Sequence, residues 1–126
     1  MSSSTRETLS DLFVEPAWLA QHLSNPNIRV VEVDVSRTAY AEGHIPGAVL
    51  WNAYTDLHRD EYRPLERGEV ENLLSKSGIA PDDTAIFYGY GRPLGAWFLK
   101  AYAHPRALML NISRTAWRDA ALPWTT

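Results

Sequence analysis

Apolar residues follow two different spacings along this chain. Between Val14 and Leu23 they recur every three or four positions behind Pro16, which suits a first helical turn, so this stretch predicts a helix. Residues 28–35 are rich in β-branched side chains, and Val31, Val33 and Val35 alternate with polar residues, which predicts a strand. The same criteria predict helices over residues 37–42, 69–76, 95–103 and 113–120, strands over residues 49–51, 85–88 and 107–110, and an irregular stretch over residues 55–67. Strands that alternate with helices in this order predict an α/β domain with a central, mostly parallel sheet flanked by helices on both faces.

The length of 126 residues fits one domain. Residues 1–10 are polar and predict a flexible N-terminal segment, residues 11–122 form the predicted domain, and residues 123–126 are interpreted as a tail or the start of a linker. The first ten residues hold no apolar run typical of a signal peptide. No stretch approaches the roughly 20 apolar residues that cross a bilayer. We therefore expect a cytoplasmic protein without a membrane partner.

Composition narrows the function classes further. Hydrophobic residues make up 45% of the chain and charged residues 21%, which is typical of a soluble globular protein. The net charge of −3 provides no broad attraction to nucleic acid, so we expect no nucleic-acid partner. The chain contains no cysteine, which excludes disulfides, thiolate metal sites and thiol nucleophiles. Its histidines are dispersed over different predicted elements, so we expect neither a metal nor a cofactor.

Two segments carry a resemblance to a known family. VVEVDVSRTAYAEGHIPGAV, residues 30–49, resembles the signature of the first half of a rhodanese (sulfurtransferase) domain, with Gly43 to Ala48 matching the G-H-I-P-G-A core. DDTAIFYGYGRPLGAWFLKAYAHPRALMLNISRTAW, residues 82–117, is similar to the central strand, active-site loop, helix and closing segment of that family. The finer resemblance, over residues 31–57, is to the first domain of tandem, two-domain thiosulfate sulfurtransferases. It implies that a second domain carries the catalytic cysteine and that this half is silent.

The resemblance also implies where the nucleophile of an active relative would stand. That residue follows the central strand, in a loop whose backbone N–H groups favour an anion, and in this alignment its position is occupied by Gly89. Glycine has no side chain, so no covalent intermediate can form there. Arg92 would offer its guanidinium to thiosulfate, sulfate or phosphate. In the simpler alternative, which we favour, the glycines only make a tight turn and Arg92 points into solvent. The candidate anion-binding residues of the predicted loop 89–94 and the following helix are Gly89, Tyr90, Gly91, Arg92, Leu94 and Gly95.

The GHIPGA segment is expected to have a structural role. Gly43 and Gly47 would supply permissive backbone angles and Pro46 would supply rigidity. We expect His44 to shape this segment and not to act as a base, because a base needs a nucleophile within reach. The resemblance implies that Asp34, at the end of the first strand, hydrogen-bonds within the loops.

A partner is suggested by the helix over residues 95–103, which is apolar almost all round, with Trp97, Phe98 and Tyr102. One of its faces would contact a second rhodanese domain or another copy of the chain. In the alternative, the sheet and the last helix with Trp117 cover it completely.

Three functional hypotheses follow from the resemblance and the absent cysteine. The first is a catalytically inactive, structural or regulatory rhodanese-like domain, for which the name sulfurtransferase would describe only the family. The second is an oxyanion-binding module, and the third a phosphate-ester hydrolase of the same fold, although such phosphatases also need the cysteine.

Overall fold

The computed structural model describes residues 12–53, 56–57, 65–102, 104 and 106–126. Its elements, in chain order, are β1 (Phe13–Val14), α1 (Pro16–His22), β2 (Ile28–Asp34), α2 (Arg37–Glu42), β3 (Val49–Asn52), α3 (Arg67–Lys76), β4 (Thr84–Tyr88), α4 (Arg92–Ala101), β5 (Ala107–Leu110) and α5 (Arg114–Asp119). All predicted helices and strands are present. The predicted flexible segment 1–10 and most of the predicted irregular stretch 55–67 lie outside the described residues.

The five described strands form one parallel sheet in the order β1-β5-β4-β2-β3. This confirms the predicted α/β architecture. Strands β4 and β2 lie in the middle, and four consecutive residues of β4, from Ala85 to Tyr88, are completely buried. Such a continuous apolar run is typical of a strand covered on both faces. Strand β1 could not be predicted, because two residues are too few to show an alternation.

The sheet separates two apolar cores, with helices on both faces as predicted. The first core joins Val31, Val33 and Phe87 of the sheet to buried residues of α3 and α4. The second core joins Val30 and Ile86 to buried residues of α1 and α5. Successive residues of β2 and β4 therefore face opposite sides, as the pleat of a strand requires.

Helix α4 begins earlier than predicted. Its first residue is Arg92, three positions before the predicted start at Gly95, and it ends at Ala101. Pro93 lies in its first turn, where the missing N–H costs nothing and the fixed φ suits a helix. The loop that follows β4 therefore spans only residues 89–91, not the predicted 89–94.

Helix α3 also begins earlier than predicted, at Arg67 rather than Glu69. The backbone N–H of Glu66 donates to the Glu69 carboxylate at 2.9 Å, which forms half of a capping box and extends the helix by two residues. The helix ends as predicted, with Gly78 in a left-handed conformation at φ +75°. Within the described residues, no helix is long and apolar enough to cross a membrane.

We expect Gly95→Ala to destabilise the domain. Helix α4 lies so close to the sheet that a Cβ at Gly95 would be 2.5 Å from Phe87 Cδ1 and 2.9 Å from Val33 Cγ2. Overpacking of this kind costs about 1–3 kcal/mol. The matched control is Gly68→Ala in the first turn of α3, where an added Cβ meets no atom within 4 Å. It should raise the free energy of unfolding by about 0.5 kcal/mol. Urea unfolding of both variants measures the difference, and equal effects would contradict the close helix–sheet contact.

Candidate functional site

The candidate site lies where β4 ends and α4 begins, at the carboxyl edge of the parallel sheet. Ligand sites of open α/β sheets gather at this edge. Tyr88 is the last residue of β4, and residues 89–91 connect it to Arg92 at the start of α4. The loop packs against the neighbouring strand β2, because the backbone N–H of Gly91 donates to the carbonyl oxygen of Val33 at 2.8 Å.

The position that the sequence resemblance aligns with a nucleophile is nearly closed to a side chain. Gly89 has φ +96°, a backbone conformation that residues with a Cβ rarely adopt. A Cβ built there would lie 3.0 Å from the carbonyl oxygen of Val33 and 3.3 Å from Cγ of Glu32, so these neighbours would have to shift by a few tenths of an ångström. Gly89 therefore suits this position because both its backbone angle and its close surroundings disfavour a larger residue.

Four of the candidate backbone donors, those of Gly91, Arg92, Leu94 and Gly95, are engaged within the domain. The N–H of Arg92 donates to the Gly89 carbonyl at 3.3 Å. Those of Leu94 and Gly95 donate to the Gly91 carbonyl at 3.0 and 3.2 Å. Position 93 is proline and has no N–H to offer. An anion at this loop would have to displace these internal hydrogen bonds.

Arg92 is also engaged. Its Nη1 donates to the carbonyl oxygen of Ile112, just before α5, at 2.8 Å, and the residue is half-buried. The side chain thus ties the start of α4 to the segment after β5. Binding of an oxyanion by this guanidinium would require the contact with Ile112 to be given up.

Three apolar side chains remain exposed around this loop. Tyr90 is 93% exposed, Trp97 66% and Leu94 39%, and Leu94 and Trp97 lie one turn apart on α4. We call these three residues the α4 patch. Trp117 of the last helix does not cover them, because it packs in the core on the opposite face of the sheet. The predicted all-round apolar helix is therefore buried on one side and open on the other.

A buried ion pair lies directly beneath the loop. Glu32 of β2 is completely buried, and Nε of Arg114 in α5 lies 3.0 Å from its Oε2 atom. The Tyr88 hydroxyl donates to Oε1 of the same carboxylate at 2.6 Å. Burial, and then the hydrogen bond to Glu32, raise the pKa of Tyr88 above its ordinary value, which keeps the phenol protonated as the donor. Sequence reasoning missed this pair, although a glutamate between the valines of a central strand was a signal that a cationic partner was required.

The ion pair also reaches the GHIPGA segment. Arg114 Nη2 donates to the carbonyl oxygens of Ala39, at 2.6 Å, and Gly43. The Tyr88 hydroxyl accepts the backbone N–H of Ile45 at 3.1 Å. One arginine and one tyrosine thus hold the end of α2 and the following segment against the sheet.

The glycines of the GHIPGA segment serve two different purposes, one of backbone angle and one of space. Gly47 has φ +81°, as its predicted permissive angle requires. Gly43 has φ 168°, which is ordinary extended backbone, so its predicted conformational role is wrong. Glycine is needed at position 43 for space, because a Cβ there would collide with the Trp124 indole. His44 stacks on Tyr40, with ring centroids 4.0 Å apart. Pro46 follows in the turn that ends with Gly47.

Asp34 acts locally, in agreement with the role implied by the resemblance. Its Oδ1 atom accepts the backbone N–H of Val35 at 2.6 Å, and its carbonyl oxygen accepts that of Ala53 at 3.0 Å. The carboxylate therefore caps the end of β2. Among the described residues, no group of three or more histidine, aspartate or glutamate side chains is arranged to hold a metal ion.

Comparison with known proteins shows the family to which the chain belongs. The profile of the rhodanese-like domain matches residues 15–120. The chain belongs to the rhodanese-like domain family. A Mycobacterium leprae protein that carries the name thiosulfate sulfurtransferase SseA is 36% identical over 114 residues, which are 83% of this chain and 38% of that protein. A Mycolicibacterium smegmatis protein also named as a thiosulfate sulfurtransferase is 37% identical over 119 residues, which are 90% of this chain and 43% of that protein.

The rhodanese fold is also found in solved structures. The crystal structure of SseA from Escherichia coli, described as a 3-mercaptopyruvate sulfotransferase, superposes with a TM-score of 0.72 at 23% identity. The match covers 90% of this chain and 51% of that one, and at this identity it shows the fold alone. The chain spans about two fifths of the length of the two named relatives.

We expect Gly89→Cys to leave this rhodanese-like domain without sulfurtransferase activity. The unfavourable φ angle costs about 1–3 kcal/mol, and the new Cβ presses against the backbone of Val33. A thiolate would also stand close to the Glu32 side chain, with the N–H groups of Gly91 and Arg92 already engaged. The measurement is thiocyanate formation from thiosulfate and cyanide, with Gly68→Cys as a control that places a thiol in open space. Turnover of Gly89→Cys well above that of Gly68→Cys would show that the loop still stabilises a persulfide.

We expect alkaline pH to weaken the fold through Tyr88. Its pKa is raised in the native state, so above about pH 10 the unfolded chain loses this proton while the folded domain keeps it. The contribution is therefore complete below pH 10 and is lost at higher pH, at about 1.4 kcal/mol per pH unit. Tyr88→Phe should be less stable at pH 8 but should show a shallower decline between pH 10 and 11 in urea unfolding. Equal slopes for the two proteins would contradict the raised pKa.

Proposed function

We propose that this chain is a catalytically inactive rhodanese-like domain with a structural or regulatory role, the silent half of a thiosulfate sulfurtransferase. The observation that carries the proposal is the nearly closed Gly89 position in a chain without any cysteine. A persulfide needs a sulfur nucleophile, and this chain has none to offer.

The length of the relatives supports the same proposal. The two named relatives are more than twice as long as the region that this chain matches. We therefore propose that the partner is a cysteine-bearing rhodanese-like domain. It would correspond to the part of the two relatives that this chain does not match. Sulfur transfer would take place on that partner, and this domain would support it.

The α4 patch supports a protein partner in particular. Tryptophan and tyrosine are the anchor residues that protein interfaces favour, and both Trp97, 66% exposed, and Tyr90, 93% exposed, belong to this patch. These side chains lie on or next to the loop that corresponds to the active-site loop. A partner seated on them would contact the same edge of the sheet.

The oxyanion-binding alternative remains a prediction with less support. Its candidate donors at Gly91, Arg92, Leu94 and Gly95 already bond within the domain, and the Arg92 side chain bonds to Ile112. No specific contact in the described residues favours an anion over these internal partners. We therefore retain the silent-half proposal as the function.

The test is a chimera in which this chain replaces the matched region of the Mycolicibacterium smegmatis relative. We expect the isolated chain to form no thiocyanate from thiosulfate and cyanide, and the chimera to form it. Trp97→Glu in the chimera should lower both the turnover and the free energy of unfolding, the latter by about 2 kcal/mol, because a buried interface aromatic is replaced by a charge.

The control is Trp18→Glu, which changes another exposed tryptophan, on α1, and should leave both quantities near those of the unmodified chimera. Thiocyanate formation by the isolated chain would disprove the inactive role. Equal behaviour of the two glutamate variants would disprove the α4 patch as the interface. Self-association of the isolated chain that Trp97→Glu abolishes would assign the patch to a second copy instead.

A further inference from the structure

The last five residues, Leu122 to Thr126, are attached to the domain, although the sequence suggested a tail or linker for most of them. The backbone N–H of His44 donates to the carbonyl oxygen of Thr125 at 2.8 Å, and the N–H of Thr125 donates back to His44 at 2.9 Å. The indole N–H of Trp117 donates to the carbonyl oxygen of Pro123 at 2.8 Å. We call residues 122–126 the C-terminal clasp.

Trp124 is the side chain by which the clasp reaches the buried ion pair. The Cζ atom of Arg114 lies 4.8 Å from the centre of the Trp124 ring, a distance typical of a cation–π contact. The indole occupies the space that a side chain at Gly43 would need. Trp124 thus packs against both the guanidinium and the backbone at the end of α2.

Arg114 lies between the clasp and the sheet. Its guanidinium carbon lies over the Trp124 ring, and its Nε bonds to Glu32. Its side chain is only 18% exposed, and that of Glu32 is completely buried. Glu32 in turn accepts the hydroxyl of Tyr88, and Gly89 is the next residue. A continuous series of contacts therefore joins the clasp to the loop of the candidate site.

We propose that the C-terminal clasp is a conformational latch that seals the Arg114–Glu32 pair from water and so holds the loop 89–91 and the GHIPGA segment in one arrangement. The inference does not depend on the proposed function, because every contact lies within this chain.

The latch has a consequence for the energetics of the ion pair. With the clasp in place, replacement of Glu32 by glutamine leaves a guanidinium without its counter-ion in a largely buried position, which is strongly unfavourable. Without Trp124, water reaches Arg114 and hydrates the charge. The effect of the Glu32 substitution should therefore be smaller when Trp124 is absent.

A double-mutant cycle on the full chain tests this coupling. Glu32→Gln should raise the equilibrium constant of unfolding of the unmodified protein. In the Trp124→Ala background the same substitution should raise it by a factor that is at least about fivefold smaller. The control cycle pairs Glu32→Gln with Trp18→Ala, which removes an exposed tryptophan from α1. In the control cycle the fold-change of the double variant should equal the product of the two single fold-changes to within about twofold. If the fold-changes of Glu32→Gln and Trp124→Ala multiply in the same way, the proposal is overturned.

Amide hydrogen exchange separates a latch from a merely attached tail. In Trp124→Ala the exchange rate should rise at Ile45 and Gly91 as well as at His44 and Thr125. The amide of Ile45 bonds to the Tyr88 hydroxyl and that of Gly91 to the Val33 carbonyl oxygen, so both report on the arrangement around the ion pair. A rise confined to His44 and Thr125 would overturn the proposal. Trp124→Phe keeps a ring over Arg114 and should shift the same amides less, which keeps the test available if the alanine variant fails to fold.

Discussion

The arrangement of this domain depends on one buried ion pair. A carboxylate in the middle of a central parallel strand is compatible with folding only when it is neutralised and hydrogen-bonded. Glu32 meets this requirement through Arg114 and Tyr88. Because Arg114 also bonds to the backbone at Ala39 and Gly43, satisfying one charge fixes α5, the end of α2 and the strands β2 and β4 relative to each other.

The order of strands and helices could be predicted from the sequence because its signals are local. The apolar runs of β2 and β4 and the N-cap at Ser113, whose hydroxyl accepts the N–H of Ala116, depend on residues a few positions apart. The Glu32–Arg114 pair joins residues 82 positions apart, and no local pattern reports such a contact. The start of α4 was misplaced because Pro93 was assigned to the loop, although proline is favoured in a first helical turn.

The tight turn at the candidate loop agrees with the alternative favoured from the sequence, but Arg92 bonds to the carbonyl oxygen of Ile112 and does not point freely into solvent as expected. The alignment placed Gly89 at the end of the central strand, where the structure has it. The left-handed backbone, the contact with Val33 and the early helix start emerge only from the packed loop. Together they give the loop the close packing of a tight strand-to-helix connection.

The exposed face of α4 follows from helix geometry. Ala96, Phe98 and Leu99 are buried, and Gly95 sits against Phe87, so these positions take the side of the helix that faces the sheet. Trp97 then has to project away from the core, because consecutive residues of a helix are about 100° apart. The indole is therefore 66% exposed and contributes little to the core on the sheet side of α4. Its place on the helix follows from the burial of its neighbours, so the exposure of Trp97 is a consequence of how α4 packs against the sheet.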